Sequence, residues 1–518
     1  MVRASMVPML LVACGLAAQA PQPVQNLASG QTPLSTQVKR LSLREALQTS
    51  LQYNLQVDIA QQARVVTDAG IPVSQGVFDW NLAATGQDQK LDTAASGPLI
   101  TGGPSYKQTY TTYNRSLTGD LNKNFEWGGN LDLNYSPLYS ARQGTIYNYY
   151  NPGNLYGTTG NPYTGAFTAT YTQSLLQNFG TDVTDAPVVI AKKNAESADY
   201  TFQLAIINLV ASTETDYWAV VYAQKSLINN QIALKLAQKQ LDENNIRLKV
   251  GTMAPLDVTA AEAQVAQAEQ NIISAQAALD NAKDTLIRDL YPNSERPASL
   301  ELTDGPTLSH IQLNEEDAVK MALDRRVELK GARITKDVND IQLTVAKNKV
   351  LPQLNAFVAY NGSSDNYTSL NSVNSDLAGA KYPGYTVGLK FLMPLENRTA
   401  KGNLSIARAN LRSSELNLRN QELSVILQVR TAVRNIDATE KGVKAAEKTR
   451  YLQEKTLEAE QKKFDNGMST NFNVLQDMTN LDAARAAETQ AQINYATAVT
   501  QLEVSVGNLL KARNFVIK

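Results

Sequence analysis

The residue types that carry covalent chemistry are almost absent from this chain. Its 518 residues include one histidine and one cysteine. That leaves little for metal, thiol or imidazole chemistry. No Ser/His/Asp set, metal-ligand cluster or phosphate loop stands out. Gly102-Gly103 and Gly128-Gly129 are loop signals too short for nucleotide motifs. The reading is therefore not an enzyme, with no cofactor. One acylation site is written near the N-terminus. Arg3 precedes an apolar core, Met6 to Ala13, too short to span a bilayer, as in an export signal. Within it Leu11-Val12-Ala13-Cys14 has the form of a lipobox, which would leave Cys14 lipidated as the first mature residue. Ala18-Gln19-Ala20 offers a competing A-x-A cleavage site, although Pro21 follows it, and that cut would discard Cys14 with the signal. Residues 1–20 read as signal and 21–40 as a flexible tether rich in Pro, Gln, Ser and Gly.

The remaining candidates act without covalent chemistry. Gly251 and Gly467 each interrupt a long helical pattern, where a reversal needs φ > 0 and glycine adopts it without steric cost. Asp257 follows six residues after Gly251, in what would be the first turn of the returning helix. A helix dipole stabilises an aspartate there by ~0.3–1 kcal/mol.

The elements that must position these residues come in two copies. Residues 172–286 align with 388–502 without a gap, so that Ile190, Lys239, Gly251 and Val258 meet Ile406, Lys455, Gly467 and Val474. An ungapped match this long implies one unit built twice. In the first copy a helix runs from about Asp185, with Pro187 in its first turn, to Val250. At ~1.5 Å per residue it spans about 100 Å. Gly251 breaks it, and a return helix reaches about Leu290. The second copy runs from about Asn403 to Asn466, breaks at Gly467 and returns to about Leu510. Each copy opens on an amphipathic helix, at Leu41 to about Gly70 and from near Leu313. The first repeat is thus 41–290, a linker covers 291–312, the second repeat is 313–512, and 513–518 is a tail.

Those opening helices stand 272 residues apart, against 216 for the later stretch, so the first copy holds about 56 extra residues between about 90 and 165. Half the chain's tyrosines fall between Tyr106 and Tyr171. Ser116 to Leu121 and Asn130 to Tyr135 alternate apolar and polar residues about a turn at Glu126-Trp127-Gly128-Gly129, which predicts an added antiparallel hairpin. Asn148 to Pro162 reads as a polar loop. Further strands are expected at 78–85, 167–175, 354–360 and 385–392. Trp218 lies at helical spacing and reads as packing. A net charge of −1 with dispersed Lys and Arg argues against a nucleic-acid partner.

A few strands cannot close a barrel alone, and an open sheet edge cannot sit in lipid. Oligomerisation resolves this, each chain lending strands to one barrel that its helices continue as a tube. At this point the sequence resembles the TolC-like outer-membrane efflux protein family, over nearly all of Leu41 to Leu510. The resemblance rests on the duplicated plan, the signal with its lipobox, and Gln173-Ser174-Leu175-Leu176-Gln177-Asn178-Phe179-Gly180 at a strand-to-helix junction. It rests also on the tip motifs, Leu248-Lys249-Val250-Gly251 through Leu256-Asp257-Val258 and Phe464-Asp465-Asn466-Gly467 through Asn473-Val474-Leu475. It implies a mainly α, α+β fold: a trimeric outer-membrane β-barrel continued by a periplasmic α-helical barrel. It further implies a homotrimer in outer-membrane lipid, joined through a periplasmic adaptor protein to an inner-membrane pump. The function implied is a passive exit channel for an efflux pump or type I secretion system.

The resemblance also assigns roles at the tips. Lys249, Val250, Gly251, Thr252, Asn466, Gly467, Met468 and Ser469 would dock the adaptor. Asp257 would form a ring of charge at the constriction. Here the chain departs from the family's best-known member. Phe464 stands where a tyrosine would bond to Asp257, and Asn473 and Gln476 replace acidic rings. The expectation is a less acidic gate closed by Phe464 and Phe472. Trp80, Trp127, Tyr135, Tyr139 and Phe167 are expected in interfacial girdles, and Tyr147, Tyr149, Tyr150 and Tyr156 in outer loops. The alternative class is a periplasmic coiled-coil scaffold or adhesin without a pore.

Overall fold

The computed structural model of the protein describes residues 35–98, 105–148, 151–158, 162–292, 297–308, 311 and 314–515. The signal segment, with Cys14, lies outside them. The chain opens with strand β1 (Ser35–Leu41) and helices α1 (Leu43–Tyr53) and α2 (Leu55–Gln75). Ser42 caps α1 in a reciprocal capping box with Glu45. The single helix expected to about Gly70 is two, because Asn54 starts a new one. Its side chain accepts from the Gln56 amide at 2.8 Å and donates to the Asp289 carbonyl at 2.8 Å.

Five strands follow: β2 (Asn81–Pro98), β3 (Ser105–Asn124), β4 (Gly129–Asn148), β5 (Asn151–Thr158) and β6 (Tyr163–Ser174). Next come α3 (Thr181–Thr184), the long α4 (Ala186–Lys249) and α5 (Pro255–Leu290). Strand β7 (Pro297–Leu302) leads to the second copy: α6 (Glu315–Arg325), α7 (Val327–Lys349), β8 (Gln353–Ser363), α8 (Leu370–Ala378), β9 (Tyr382–Leu392), α9 (Arg398–Asp465), α10 (Asn471–Val506) and α11 (Leu509–Ala512). The 64 residues of α4 and 68 of α9 each reach about 100 Å. One sheet holds the strands in the order β2-β3-β4-β6-β8-β9, antiparallel throughout, with β5 paired to the end of β4. The β3–β4 hairpin therefore lies within the sheet, between the two strands that the second copy matches.

Four segments differ from the sequence reading. The tether ends in β1, and the linker contains β7; the two pair in parallel. Leu41 and Leu300 bury completely beside Tyr217, Leu286 and Leu290, at about 1.5–3 kcal/mol for each large apolar side chain. This belt packs on the middle of α4 and the C-terminal end of α5. The expected loop after Asn148 contains β5, so the backbone places Tyr147 in β4 and Tyr156 in β5; Tyr149 and Tyr150 lie outside the described residues. The tail is anchored: Arg513 binds Glu214 of α4. Trp218 is buried in the belt, edge-on to Tyr217 with ring centres 5.4 Å apart.

The hairpin turn locks onto the strand-to-helix junction. Gly128 has φ +89°, and a Cβ there would collide with the Asn178 carbonyl. Gly128→Ala is expected to destabilise the extracted protein by about 1–3 kcal/mol. Gly119→Ala, on an open strand face, should change little. Parallel thermal unfolding of the two variants checks this.

Candidate functional site at the helical tips

Both long helices end in the same hydrogen-bonded turn. Gly251 and Gly467 each have φ +77°. Thr252 N–H donates to the Arg247 carbonyl at 2.9 Å and Gly251 N–H to Leu248 at 3.0 Å. Met468 N–H donates to Lys463 at 2.8 Å and Gly467 N–H to Phe464 at 3.0 Å. These are Schellman motifs, which satisfy carbonyls a helix end leaves open. Pro255 restarts the chain as α5, and Thr470 caps α10 through the Asn473 amide.

The two tips are tied to each other by polar contacts. Asn471, 3% exposed, accepts from Gln240 at 3.2 Å and Asn244 at 2.9 Å, and donates to the Asp257 carbonyl at 3.0 Å. Beside this amide network the Arg247 guanidinium lies 4.3 Å from the Phe464 ring centre and pairs with Asp465 at 2.7 Å. Phe464 sits underneath, buried with Leu457, Val474, Met478 and Leu481. Around this core five large apolar side chains stand in solvent: Ile246, Val250, Leu256, Met468 and Phe472 are 62–79% exposed.

At the other end of the helices aromatic side chains gather where the sheet begins. Phe125 and Trp127 stack at 4.6 Å, and the Lys123 ammonium lies over Phe125 and Trp80. Trp127 Nε1 donates to the Tyr171 hydroxyl at 3.0 Å. Further up the strands Tyr139 and Tyr163 meet edge-on at 4.9 Å.

A sequence model described as outer membrane efflux protein matches residues 129–290 and 318–508. The chain belongs to that family. No curated protein matches it. Solved structures agree on the fold. The Campylobacter jejuni CmeC outer membrane channel superposes with TM-score 0.63 at 13% identity, covering 90% of this chain and 86% of that one. Vibrio cholerae VceC, an outer membrane protein, gives 0.63 at 14%, covering 90% and 96%. The open-state Neisseria gonorrhoeae MtrE outer membrane channel gives 0.61 at 14%, covering 95% and 98%. The duplicated strand–helix–turn–helix plan of this efflux-family protein is thus a shared fold. Among the described residues no helix is long and apolar enough to cross a membrane.

Within the family fold the sequence-selected residues separate. Lys249, Val250, Gly251, Thr252, Asn466, Gly467 and Met468 are exposed on the two turns. Ser469 is half-buried and bonded to Glu460. Phe464 and Phe472 do not meet in the chain: the first is 6% exposed in the hairpin core and the second 71% exposed. Asn473 bonds to Ser469 and Gln476 to Asn480, each along its own helix face. Asp257 is half-buried, with its backbone carbonyl in the amide network. Sequence reasoning missed Arg247, Gln240, Asn244 and Asn471. The signal available was a difference between copies. Gln240 and Asn244 face Thr456 and Glu460 in the repeat, and Asn471 faces Pro255.

Two aspartates on the helices resist ionisation. Burial pushes the Asp482 carboxyl from an ordinary 3.8 up to about 6, against the pull of Arg485. Burial, then the neighbouring Asp289 carboxylate, lifts Asp216 to about 6 as well. A folded pKa above the unfolded one means the folded state holds its proton longer. Stability from these groups is therefore lost as pH rises from about 4 to about 6. Asp482→Asn should be more stable than the parent at pH 7.5, with the gap closing toward pH 4 in denaturant titrations.

Proposed function

We propose that three copies of this chain form a passive exit duct through the outer membrane, fed from a periplasmic adaptor and an inner-membrane pump. The observation that carries this is an open sheet, apolar on one face, at the end of helices about 100 Å long. Directly paired residues share a face, and one row reads Leu82, Leu121, Leu133, Ala169, Tyr360 and Tyr385. The neighbouring row on the opposite face reads Asn81, Asn122, Asp132, Thr170, Ala359 and Thr386. This is the alternation of a membrane barrel, lipid outside and water within. Among the described residues the outermost strands, β2 and β9, each have one edge without a partner. In lipid those edges must pair, and three copies joined edge to edge close the wall.

The Phe125, Trp127, Trp80 and Tyr171 cluster suits the periplasmic interface, and Tyr139, Tyr163, Phe167 and Tyr360 suit the outer one. The turns at Gly251 and Gly467, with Lys249, Val250, Thr252, Asn466, Met468 and Ser469, dock the adaptor. Asp257, Phe472, Asn473 and Gln476 line the tip. Phe464 acts from beneath, holding Arg247 in place. A lipid on Cys14 would tether each chain to the same membrane. The scaffold or adhesin alternative leaves the apolar sheet face without a purpose. Reconstitution tests the duct: planar bilayers given the extracted protein should show discrete current steps. A protein that inserts without conducting contradicts it.

A further inference from the structure

We infer that the β3–β4 hairpin belongs to the barrel wall itself, so that the outer-membrane barrel has eighteen strands, three chains giving six each. The inference rests on the trimeric reading above.

Four observations carry it. The sheet path runs β2-β3-β4-β6-β8-β9, so the hairpin separates β2 from β6 and is bonded on both sides. It is not an appendage of an otherwise complete sheet. Second, the side-chain rows cross it in phase. Leu121 and Leu133 continue the apolar row, while Asn122 and Asp132 continue the polar one. A hairpin standing free in water would have no reason to keep that phase. Third, six is an even number. Strands alternate in direction, so β9 of one chain meets β2 of the next antiparallel, as a closed up-and-down barrel requires. Fourth, the polar face is cross-braced within the hairpin. Asn122 donates to Asp132 at 3.2 Å, Asn130 to Asn124 at 2.8 Å, and Asn134 pairs with Asp120.

Strand lengths set the membrane height. β6, β8 and β9 have 11–12 residues, close to one tilted crossing of ~9–11 residues. β3 and β4 have 20 each and must extend beyond it. On the lipid-side face the first charged pair above Gly86 and Leu117 is Asp88 with Arg115, at 3.3 Å. That pair marks where the wall leaves lipid. Barrel diameter grows roughly linearly with strand number, so six strands per chain make the mouth about 1.5 times as wide as four would. A wall of that width makes the strand end less restrictive to cargo than a four-strand contribution would.

The test uses the full chain reconstituted in lipid vesicles, with single cysteines placed on neighbouring hairpin residues. A membrane-impermeant maleimide is the probe, and the parent chain is the background control. Asn122→Cys and Asn134→Cys should label at least about tenfold faster than Leu121→Cys and Leu133→Cys, as an in-wall strand requires. Equal labelling on both faces would overturn the inference, because the hairpin would then stand in water. Equal protection would overturn it too, because the hairpin would be a packed plug. A strand count from electron cryomicroscopy of the unmutated trimer covers variants that fail to assemble: eighteen supports the wall, and twelve refutes it. Should the extracted protein not be a trimer, the exit-duct reading fails by that fact, while the labelling pattern still reports the hairpin separately.

Discussion

Replacing Arg513 with alanine is expected to cost about 3–5 kcal/mol, because it strands a buried carboxylate. Glu214 is 1% exposed in the middle of α4, and Arg513 grips it through two bonds, at 2.6 and 3.1 Å. The guanidinium arrives from the C-terminal segment, which turns at Gly507 with φ +72° and packs Leu509 against Leu47, Ile206 and Val210. The ion pair therefore fastens the C-terminal segment to the middle of α4. Loss of the arginine leaves the charge in place without its partner, whereas Glu214→Gln with Arg513→Met removes charge from both sides. Such double replacements are often close to neutral. The expected order of stability is parent, then the double variant, then Arg513→Ala well below. Denaturant unfolding of the extracted protein, followed by helical circular dichroism, measures it. Equal stability of Arg513→Ala and parent would mean the carboxylate is hydrated in the assembled protein.

A second large effect is expected at the tips. Val250, just before Gly251, and Met468, just after Gly467, are 68% and 71% exposed on the two turns, and Leu256 and Phe472, at matched places in the returning helices, are 79% and 71% exposed. Apolar patches of this kind on a polar surface mark contact sites. Val250→Asp with Met468→Asp should leave the chain folded, since neither side chain is buried. It should weaken adaptor binding by about 30-fold or more, the loss typical of ruining a central apolar contact. Export in cells that depend on this duct should fall to the level of a strain without it, while assembled protein remains in the outer membrane. Unchanged export would move the docking surface away from the glycine turns.

The helices and their turns were legible because their signals are local and repeated. Gly251 and Gly467 stand at matching places in an ungapped repeat. The added hairpin was legible from the alternation on either side of the Glu126-Trp127-Gly128-Gly129 turn. What sequence reading missed depends on contacts between distant segments. β1 and β7 lie in Pro- and Ser-bearing stretches that read as tether and linker; they are stabilised by pairing with each other and by burying Leu41 and Leu300. Asn54 divides a helix because it caps α2 and bonds to Asp289, far along the chain. Phe464 took its gate role from the family resemblance; within the chain it packs with Leu457, Val474 and Met478 beneath the Arg247 guanidinium of the other copy. The latch of Gln240, Asn244 and Asn471 likewise joins two copies, so neither half alone reveals it.

The central claim is that these chains act as a trimeric duct. The most direct test is a native mass spectrum of the full-length protein extracted from membranes in detergent. The account predicts a mass near three mature chains, and an acyl increment on chains that begin at Cys14 would identify the lipid anchor in the same spectrum. A monomer that leaves the cell envelope without detergent would contradict the account.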